Sequence, residues 1–245
     1  MKIGMTSLTF RNHSIEEVIR IAKKADIDGI EWGVSEAHAF SDDNLDKIKC
    51  LSGKAGIEVF SLGSYCLMTD WEDCRKTVDI AVRISAPVIR VWAGHKSPWD
   101  CLDEEFEQIV ENTKKMAEYA SQDHISLGFE HHKSSLTETA ESAVKLIKAV
   151  NCKNVGLYWQ NIGRDYEENM KNIQMLTPYL TGIFHLQNYS VEEGYLLLES
   201  ISDKLAGYLE AFKSTDYKAL IEFVKDDLEE NFYQDVSVLK EILKS

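Results

Sequence analysis

Eight short apolar segments recur along this chain, and longer segments with the apolar period of an α-helix separate them. We predict strands at residues 2–6, 28–32, 57–62, 87–92, 125–130, 154–159, 181–186 and 217–223. Residues 15–22 and 139–147 are examples of the helical spacing, and a last helix is predicted over residues 229–244. Each apolar run has the length of a buried strand, and each longer segment carries a polar face.

This alternation restricts the fold to few architectures. Strand–helix–strand units connect by right-handed crossovers into a parallel sheet, and eight such units are the number that closes a barrel. We therefore predict an α/β fold, a (β/α)8 TIM barrel that forms a single domain over residues 1–245. The alternative is an open doubly wound sheet, which usually has a glycine-rich first turn; residues 6–10 (TSLTF) contain no glycine. Ser14 and Thr137 are predicted helix N-caps, because a glutamate follows each of them closely.

Charge and cysteine content exclude several classes of partner and compartment. The 27 Lys and Arg against 41 Asp and Glu give a net charge of −14, which repels nucleic acids and anionic membrane surfaces. The five cysteines are scattered without a CxxC pair, as is typical of reduced thiols in a cytoplasmic protein. No signal-peptide pattern and no apolar run of about 20 residues is present, so we expect no membrane partner. A homo-oligomer remains open.

In a TIM barrel the reactive side chains lie at the carboxyl ends of the strands, where the loops form an open mouth. Polar and aromatic residues occupy these positions here: Glu31, Trp32, His38, Tyr65, Trp92, His95, Lys96, Glu130, His131, His132, Trp159, Gln160, His185, Gln187 and Glu222. Carboxylate and amide oxygens suit a divalent cation, and indole rings suit a polyol stacked on them. The sequence therefore predicts a metal and a small polyhydroxylated substrate at the mouth.

Several of these segments resemble the xylose-isomerase-like barrels, the sugar isomerase and epimerase superfamily. The stretch 127–132 (LGFEHH) followed by 136–139 (LTET) is similar to that family's fifth-strand signature. Further similar segments are 29–33 (GIEWG) with His38, 89–94 (IRVWAG), 155–160 (VGLYWQ) and 221–224 (IEFV). The similarity extends over essentially the whole chain, and the motifs occur in the family's order.

The resemblance implies one divalent metal, held by Glu from strand five, Asp from strand six, His or Gln from strand seven and Glu from strand eight. In this sequence those positions are Glu130, Gln160, Gln187 and Glu222. Strand six departs from the family, because Gln160 replaces the Asp and Gly163 replaces the His that usually follows it. An amide oxygen still ligates but removes one negative charge, so we expect weaker binding of Mg²⁺ or Mn²⁺, with Zn²⁺ as an option if His185 or His132 contributes.

The resemblance also implies that Glu130 and Glu222 transfer a proton during isomerisation or epimerisation of a sugar, a sugar phosphate or a hydroxy-ketone. His132, His185, Trp92, Glu31 and His38 are then candidate substrate-binding residues. Two structural roles compete with substrate binding for these residues. In the first, Glu31 forms an ion pair with Arg90 or Lys24 inside the barrel. In the second, the tryptophans pack between the barrel and its helices.

Two other functions remain possible for the same barrel. A sugar-binding barrel without turnover is consistent with the loss of the acid at Gln160. An apurinic endonuclease is disfavoured. The resemblance to that branch would imply a metal site rich in His and Asp and a basic rim, whereas this chain has a net charge of −14.

Overall fold

The computed structural model describes residues 1–161, 165–212 and 216–244. The strands are β1 (Lys2–Thr6), β2 (Gly29–Gly33), β3 (Glu58–Gly63), β4 (Val88–Val91), β5 (Ser126–Phe129), β6 (Val155–Gln160), β7 (Leu180–Leu186), β8 (Tyr189–Ser190), β9 (Gly194–Tyr195) and β10 (Lys218–Ile221). The helices are α1 (Ile15–Ala25), α2 (Asp42–Ala55), α3 (Trp71–Ile84), α4 (Asp103–Ser121), α5 (Ala140–Val150), α6 (Tyr166–Leu176), α7 (Ser202–Ala211) and α8 (Glu229–Lys244). Short 3-10 turns lie at Ser7–Phe10, Thr177–Tyr179, Leu198–Ile201 and Lys225–Asp227.

Eight of the strands form a closed parallel barrel. Strands β1 to β7 follow one another around it, and β10 closes the ring between β7 and β1. The predicted TIM barrel is confirmed, and the open sheet is wrong. Strands β8 and β9 form a separate antiparallel hairpin in the loop after β7, which the apolar pattern did not predict.

The two predicted N-caps have different outcomes. Ser14 caps α1 in a reciprocal capping box with Glu17, as predicted. Thr137 does not cap a helix, because α5 begins after Thr139, whose side chain accepts the hydrogen bond from the N–H of Ser142. The hydroxyl of Thr137 instead donates to the main-chain oxygen of Glu130 and so ties the loop to the end of β5.

The interior of the barrel is filled by a small apolar cluster that is separate from the main core between strands and helices. Its members are Phe60, Val88, Tyr158, Ile183 and Leu220. Space for the Phe60 ring exists because β1 and β2 carry Gly4 and Gly29 beside it; a Cβ at either glycine would collide with the ring. Successive strand residues point to opposite faces. The next inward positions therefore lie two residues farther along, at the mouth.

No helix in the three described ranges is long and apolar enough to cross a membrane.

Candidate active site

A buried polar layer lies directly above the apolar cluster, at the carboxyl ends of the barrel strands. It consists of Glu31, Arg90, Glu130, Gln160, His185, Gln187 and Glu222, all buried. Most of these residues follow an inward-facing residue of the same strand by two positions, as Arg90 follows Val88 and Glu222 follows Leu220. Strand alternation therefore converts a sequence pattern into one ring of polar side chains.

Arg90 connects two of the carboxylates of this layer. Its Nε lies 3.1 Å from Oε1 of Glu31, and its Nη1 contacts the carboxylate of Glu130. A register shift between β2 and β3 pairs Glu31 with Ser61, whose hydroxyl donates to Oε2 of Glu31 at 2.8 Å. Glu31 thus pairs with Arg90, one of the two partners that the sequence predicted for it. Glu31 supports the layer through Arg90.

His185 lies between Glu31 and a third carboxylate, that of Glu222. Its Nδ1 is 3.2 Å from Oε2 of Glu222, and its Nε2 is 3.4 Å from Oε1 of Glu31. Burial lowers the pKa of His185, but the charges of Glu222 and Glu31 outweigh it and raise this pKa to about 9. Burial likewise opposes ionisation of both carboxylates; His185 and Arg90 nevertheless lower the pKa of Glu31 to about 2 and lower that of Glu222. The ring of His185 therefore holds carboxylates in place, a role that differs from the predicted substrate contact.

Three side chains of the layer form a possible metal-binding group. Glu130, His185 and Glu222 each offer one ligand atom, and these atoms lie within 4.8 Å of one another. The sequence assigned Glu130 and Glu222 to the metal and His185 to the substrate, with His185 as a ligand only in the Zn²⁺ option. The structure thus adds a nitrogen donor to the two predicted carboxylates.

The two glutamines border this group. The amide nitrogen of Gln160 donates to the main-chain oxygen of His131, and its buried amide oxygen has no partner among the described residues. Nε2 of Gln187 lies 3.4 Å from Oε2 of Glu222, and Asn161 holds the main chain of Gln187 through bonds of 2.8 and 3.1 Å. A buried amide oxygen without a partner fits a cation ligand, because such an atom is otherwise costly. Gly163 lies outside the described residues.

Aromatic rings form one wall of the mouth. The ring of Trp92 stacks on His132 with centroids 4.0 Å apart and an interplanar angle of 28°, and Tyr65 meets Trp92 edge-on at 6.1 Å. The indole N–H of Trp92 is buried without a partner in the described part of the chain. Trp32 and Trp159, by contrast, belong to the core between the barrel and its helices. Of these three tryptophans, Trp92 thus stays a candidate substrate contact.

His38 does not join the polar layer. Its Nδ1 lies 3.0 Å from the hydroxyl of Ser7, its Nε2 lies 3.0 Å from the main-chain oxygen of His13, and its ring packs edge-on against Trp32. Burial lowers the pKa of His38. Both ring nitrogens thus face protein atoms, and the structure does not bring His38 together with the other candidate substrate contacts.

Two aromatic residues, Phe223 and Tyr195, lie near Glu222, although the sequence analysis missed them. Phe223 has a left-handed backbone with φ of 59°, and its N–H donates to Thr9 at 3.0 Å. The ring of Tyr195, on β9, lies 5.1 Å from that of Phe223. Burial and the charge of Glu222 raise the pKa of Tyr195 to about 12. The sequence pattern gave only a weak indication of Tyr195, because each strand of its hairpin has only two residues.

Comparison with known proteins agrees with this architecture. The family model described as xylose isomerase-like TIM barrel matches residues 19–225. The chain belongs to this family. A curated 3-dehydroshikimate dehydratase from Bacillus anthracis is 23% identical over 205 residues, which cover 78% of this chain and 72% of the relative.

Solved structures of this family share the fold at low sequence identity. The probable 3-DHS dehydratase AsbF from Bacillus anthracis has a TM-score of 0.83 at 20% identity, covering 98% of this chain and 99% of that one. D-allulose 3-epimerase from Methylomonas sp., in complex with D-allulose, has a TM-score of 0.74 at 17% identity, with 100% and 96% covered. A xylose isomerase-like protein from Mycobacterium smegmatis, in complex with magnesium, has a TM-score of 0.74 at 16% identity, with 99% and 96% covered. At these identities the likeness shows the fold alone.

Proposed function

We propose that this protein is a metal-dependent enzyme that removes a proton from the carbon beside a carbonyl group. Its substrate is a small sugar, a sugar phosphate or a hydroxy-ketone, which it isomerises or epimerises. The observation that supports this proposal most directly is the pair of buried carboxylates, Glu130 and Glu222, which have potential ligand atoms within 4.8 Å of each other and of His185.

The metal would be held by Glu130, Glu222 and the amide oxygens of Gln160 and Gln187, and His185 would become a further donor after losing its proton. These oxygen donors favour Mg²⁺ or Mn²⁺, and a contribution from His185 favours Zn²⁺. A divalent ion in this position supplies Lewis-acid polarisation of a carbonyl group. The unpaired oxygen of Gln160 supports this assignment from the chain's own geometry.

The proton transfer itself belongs to the two glutamates. Glu130 follows β5 and Glu222 follows β10, two strands separated by β6 and β7 on one side of the ring. The carboxylates therefore approach a substrate from different directions, so one can remove a proton and the other return it. His185 lowers the pKa of Glu222 and keeps it in the base form at neutral pH. Arg90 holds the carboxylate of Glu130 in position.

Dehydration is a second candidate, favoured by the dehydratases among the relatives. It begins with the same removal of a proton beside a carbonyl. The electron pair then expels hydroxide from the next carbon, a carboxylic acid of the site protonates it, and water and a conjugated enone leave. Isomerase and dehydratase thus differ after the first step, in whether the second acid delivers its proton to carbon or to a leaving oxygen.

The test is deuterium exchange in D₂O, followed by NMR. Ketoses, ketose phosphates, hydroxypyruvate and 3-dehydroshikimate are incubated with the protein and Mn²⁺, Mg²⁺ or EDTA. Deuterium uptake or product formation that requires metal is expected for at least one compound. A product that has lost one molecule of water identifies dehydration, and a new sugar identifies isomerisation or epimerisation. Binding of a compound without exchange or product supports the barrel that binds without turnover and overturns the proposal.

A further inference from the structure

Three sulfur atoms, two from the loop after β3 and one from the first part of α3, meet beside the mouth. The Sγ atoms of Cys66 and Cys74 are 3.4 Å apart, and Sγ of Cys74 is 3.7 Å from Sδ of Met68. All three side chains are buried, with exposed fractions of 2%, 0% and 0%. The proposed reaction uses none of them.

We propose that this sulfur pocket, formed by Cys66, Met68 and Cys74, is a second metal site, which binds one soft monovalent cation such as Cu⁺. Two thiols and one thioether are soft donors, which select such ions and disfavour Mg²⁺ and Ca²⁺. Its donor set is thus complementary to the oxygen-rich polar layer of the mouth.

The backbone holds the sulfur pocket rigidly. Three successive main-chain oxygens accept hydrogen bonds from the neighbouring strand end and helix: Cys66 from Trp92 at 2.9 Å, Leu67 from Gly94 at 3.0 Å, and Met68 from the side chain of Asn112 at 2.9 Å. A segment tied at three consecutive residues keeps its side chains oriented without a ligand. Preorganisation of this kind favours binding, because little conformational freedom is lost when the ligand arrives.

Met68 reaches the pocket from a strained backbone. Its φ of 61° lies in the left-handed region, which residues with a Cβ rarely adopt. Strain of this kind persists where the surrounding structure imposes it, and it clusters at functional sites. Here it occurs at the residue whose thioether joins the two thiols.

The spacing of the sulfur atoms is close to that of a three-coordinate metal. Bonds of about 2.3 Å in a trigonal arrangement place the sulfurs about 4 Å apart, so the observed 3.4 and 3.7 Å need to open by a few tenths of an ångström. The Cys74 contact and burial raise the pKa of Cys66, so its thiol is protonated without metal.

Binding therefore exchanges protons for the metal. Each thiol loses one proton to solvent, two metal–thiolate bonds and one metal–thioether bond form, and no electron is transferred. The resulting centre carries one net negative charge. Cys74 lies at the N-terminal end of α3, where the helix dipole stabilises such a charge.

The experiment uses Ag⁺ as a redox-inert substitute for Cu⁺, under reducing, oxygen-free conditions. Cys50, Cys101 and Cys152, the more exposed cysteines, are replaced by Ser so that only the pocket thiols remain. This background variant is expected to bind one Ag⁺ per chain, to release two protons, and to show sulfur neighbours only in X-ray absorption. Cys74→Ala and Cys66→Ala should each weaken binding at least a hundredfold, and Met68→Leu about tenfold.

Met175→Leu is the control, because Met175 is 39% exposed and lies on α6. It should leave the affinity unchanged. A folded background variant that takes up no Ag⁺ overturns the proposal. Formation of a Cys66–Cys74 disulfide is detected as a loss of two hydrogens by mass spectrometry. A chain that forms this disulfide and binds no Ag⁺ after reduction also overturns the proposal. Unchanged binding in Met68→Leu excludes the three-sulfur site, and unchanged binding in both alanine variants excludes the thiols.

Discussion

The side chain of Gln160 donates from its amide nitrogen to the main-chain oxygen of His131. This bond orients the amide and leaves its buried oxygen without a partner among the described residues. His131 directly follows Glu130, so the bond also ties the end of β6 to the residue after a proposed ligand. A neutral residue at this position keeps the ligand geometry but gives up the charge that an acid would bring.

Replacing Gln160 by Asp should therefore strengthen metal binding. The added negative charge attracts a divalent cation in a buried site, and we expect the affinity for Mn²⁺ to rise by about tenfold or more. Isothermal titration calorimetry measures it directly. Gln174→Asp, at an exposed position on α6, adds the same charge far from the mouth and should change nothing. Equal or weaker binding by the Gln160→Asp protein would argue against Gln160 as a ligand.

The sequence predicted the barrel well because the fold repeats one local pattern. All eight predicted strands match barrel strands within a few residues, and the predicted helix 229–244 matches α8. Contacts across the barrel were harder to predict from the sequence, since strand position alone does not determine which residue a side chain contacts. Arg90 appeared in the sequence only as one of two partners for Glu31, and its link to Glu130 emerged from the closed ring.

Local signals failed where two similar residues competed. Thr137 and Thr139 both precede polar residues near the start of α5, and the structure selects Thr139 as the cap. His185 and His132 looked alike as strand-end histidines, yet one lies between carboxylates and the other stacks on Trp92.

Glu130→Gln and Glu222→Gln should each abolish exchange of the substrate's carbon-bound proton with deuterium. Loss of a general acid–base group costs about 10²- to 10⁴-fold in rate, and loss of a metal ligand adds to this. Circular dichroism should show an intact fold, because Gln preserves volume and shape. Glu141→Gln, exposed in the first turn of α5, is the control and should retain full activity. Exchange at the wild-type rate in either site variant would remove that glutamate from the mechanism.

Arg90→Met should destabilise the metal-free protein strongly. The change leaves Glu130 buried without its cation and Glu31 with His185 alone, which costs about 3–5 kcal/mol in the free energy of unfolding. Urea denaturation with EDTA present gives this value. Arg83→Met is the matched control, because Arg83 pairs with Asp42 and Asp46 at the surface, where solvent screens such pairs and their loss should cost far less. Similar losses of unfolding free energy in the two variants would show that the buried ion pairs of Arg90 stabilise the fold no more than the surface pairs of Arg83 do.

Replacement of His132 and replacement of His185 should have different effects on KM and kcat. His132→Asn should mainly raise KM, because His132 contacts Trp92 in the aromatic wall and no carboxylate of the polar layer. His185→Asn should lower kcat as well, since His185 orients Glu222 and lowers its pKa. Steady-state rates of both variants, once a substrate is found, measure the difference. A pure KM effect in His185→Asn would return this residue to the substrate-binding role that the sequence suggested.

Asp235 should make the protein less stable as the pH rises. Burial raises the pKa of Asp235 to about 7, despite the hydrogen bond of 2.8 Å that its carboxylate accepts from the N–H of Leu198. The unfolded chain has an Asp pKa of about 3.9. The folded chain therefore binds the extra proton between these values, so its stabilising contribution is complete below pH 4 and is lost as the pH rises through 7.

Asp235→Asn removes this dependence, because the amide oxygen still accepts from Leu198 and never ionises. At pH 8 the variant should exceed the wild type by on the order of 1–4 kcal/mol in the free energy of unfolding, and at pH 4 the two should be nearly equal. Urea denaturation across this pH range gives the difference directly. Asp123→Asn, at an exposed position after α4, should follow the wild-type curve throughout. A difference between Asp235→Asn and wild type that stays constant with pH would mean that Asp235 does not titrate in this range.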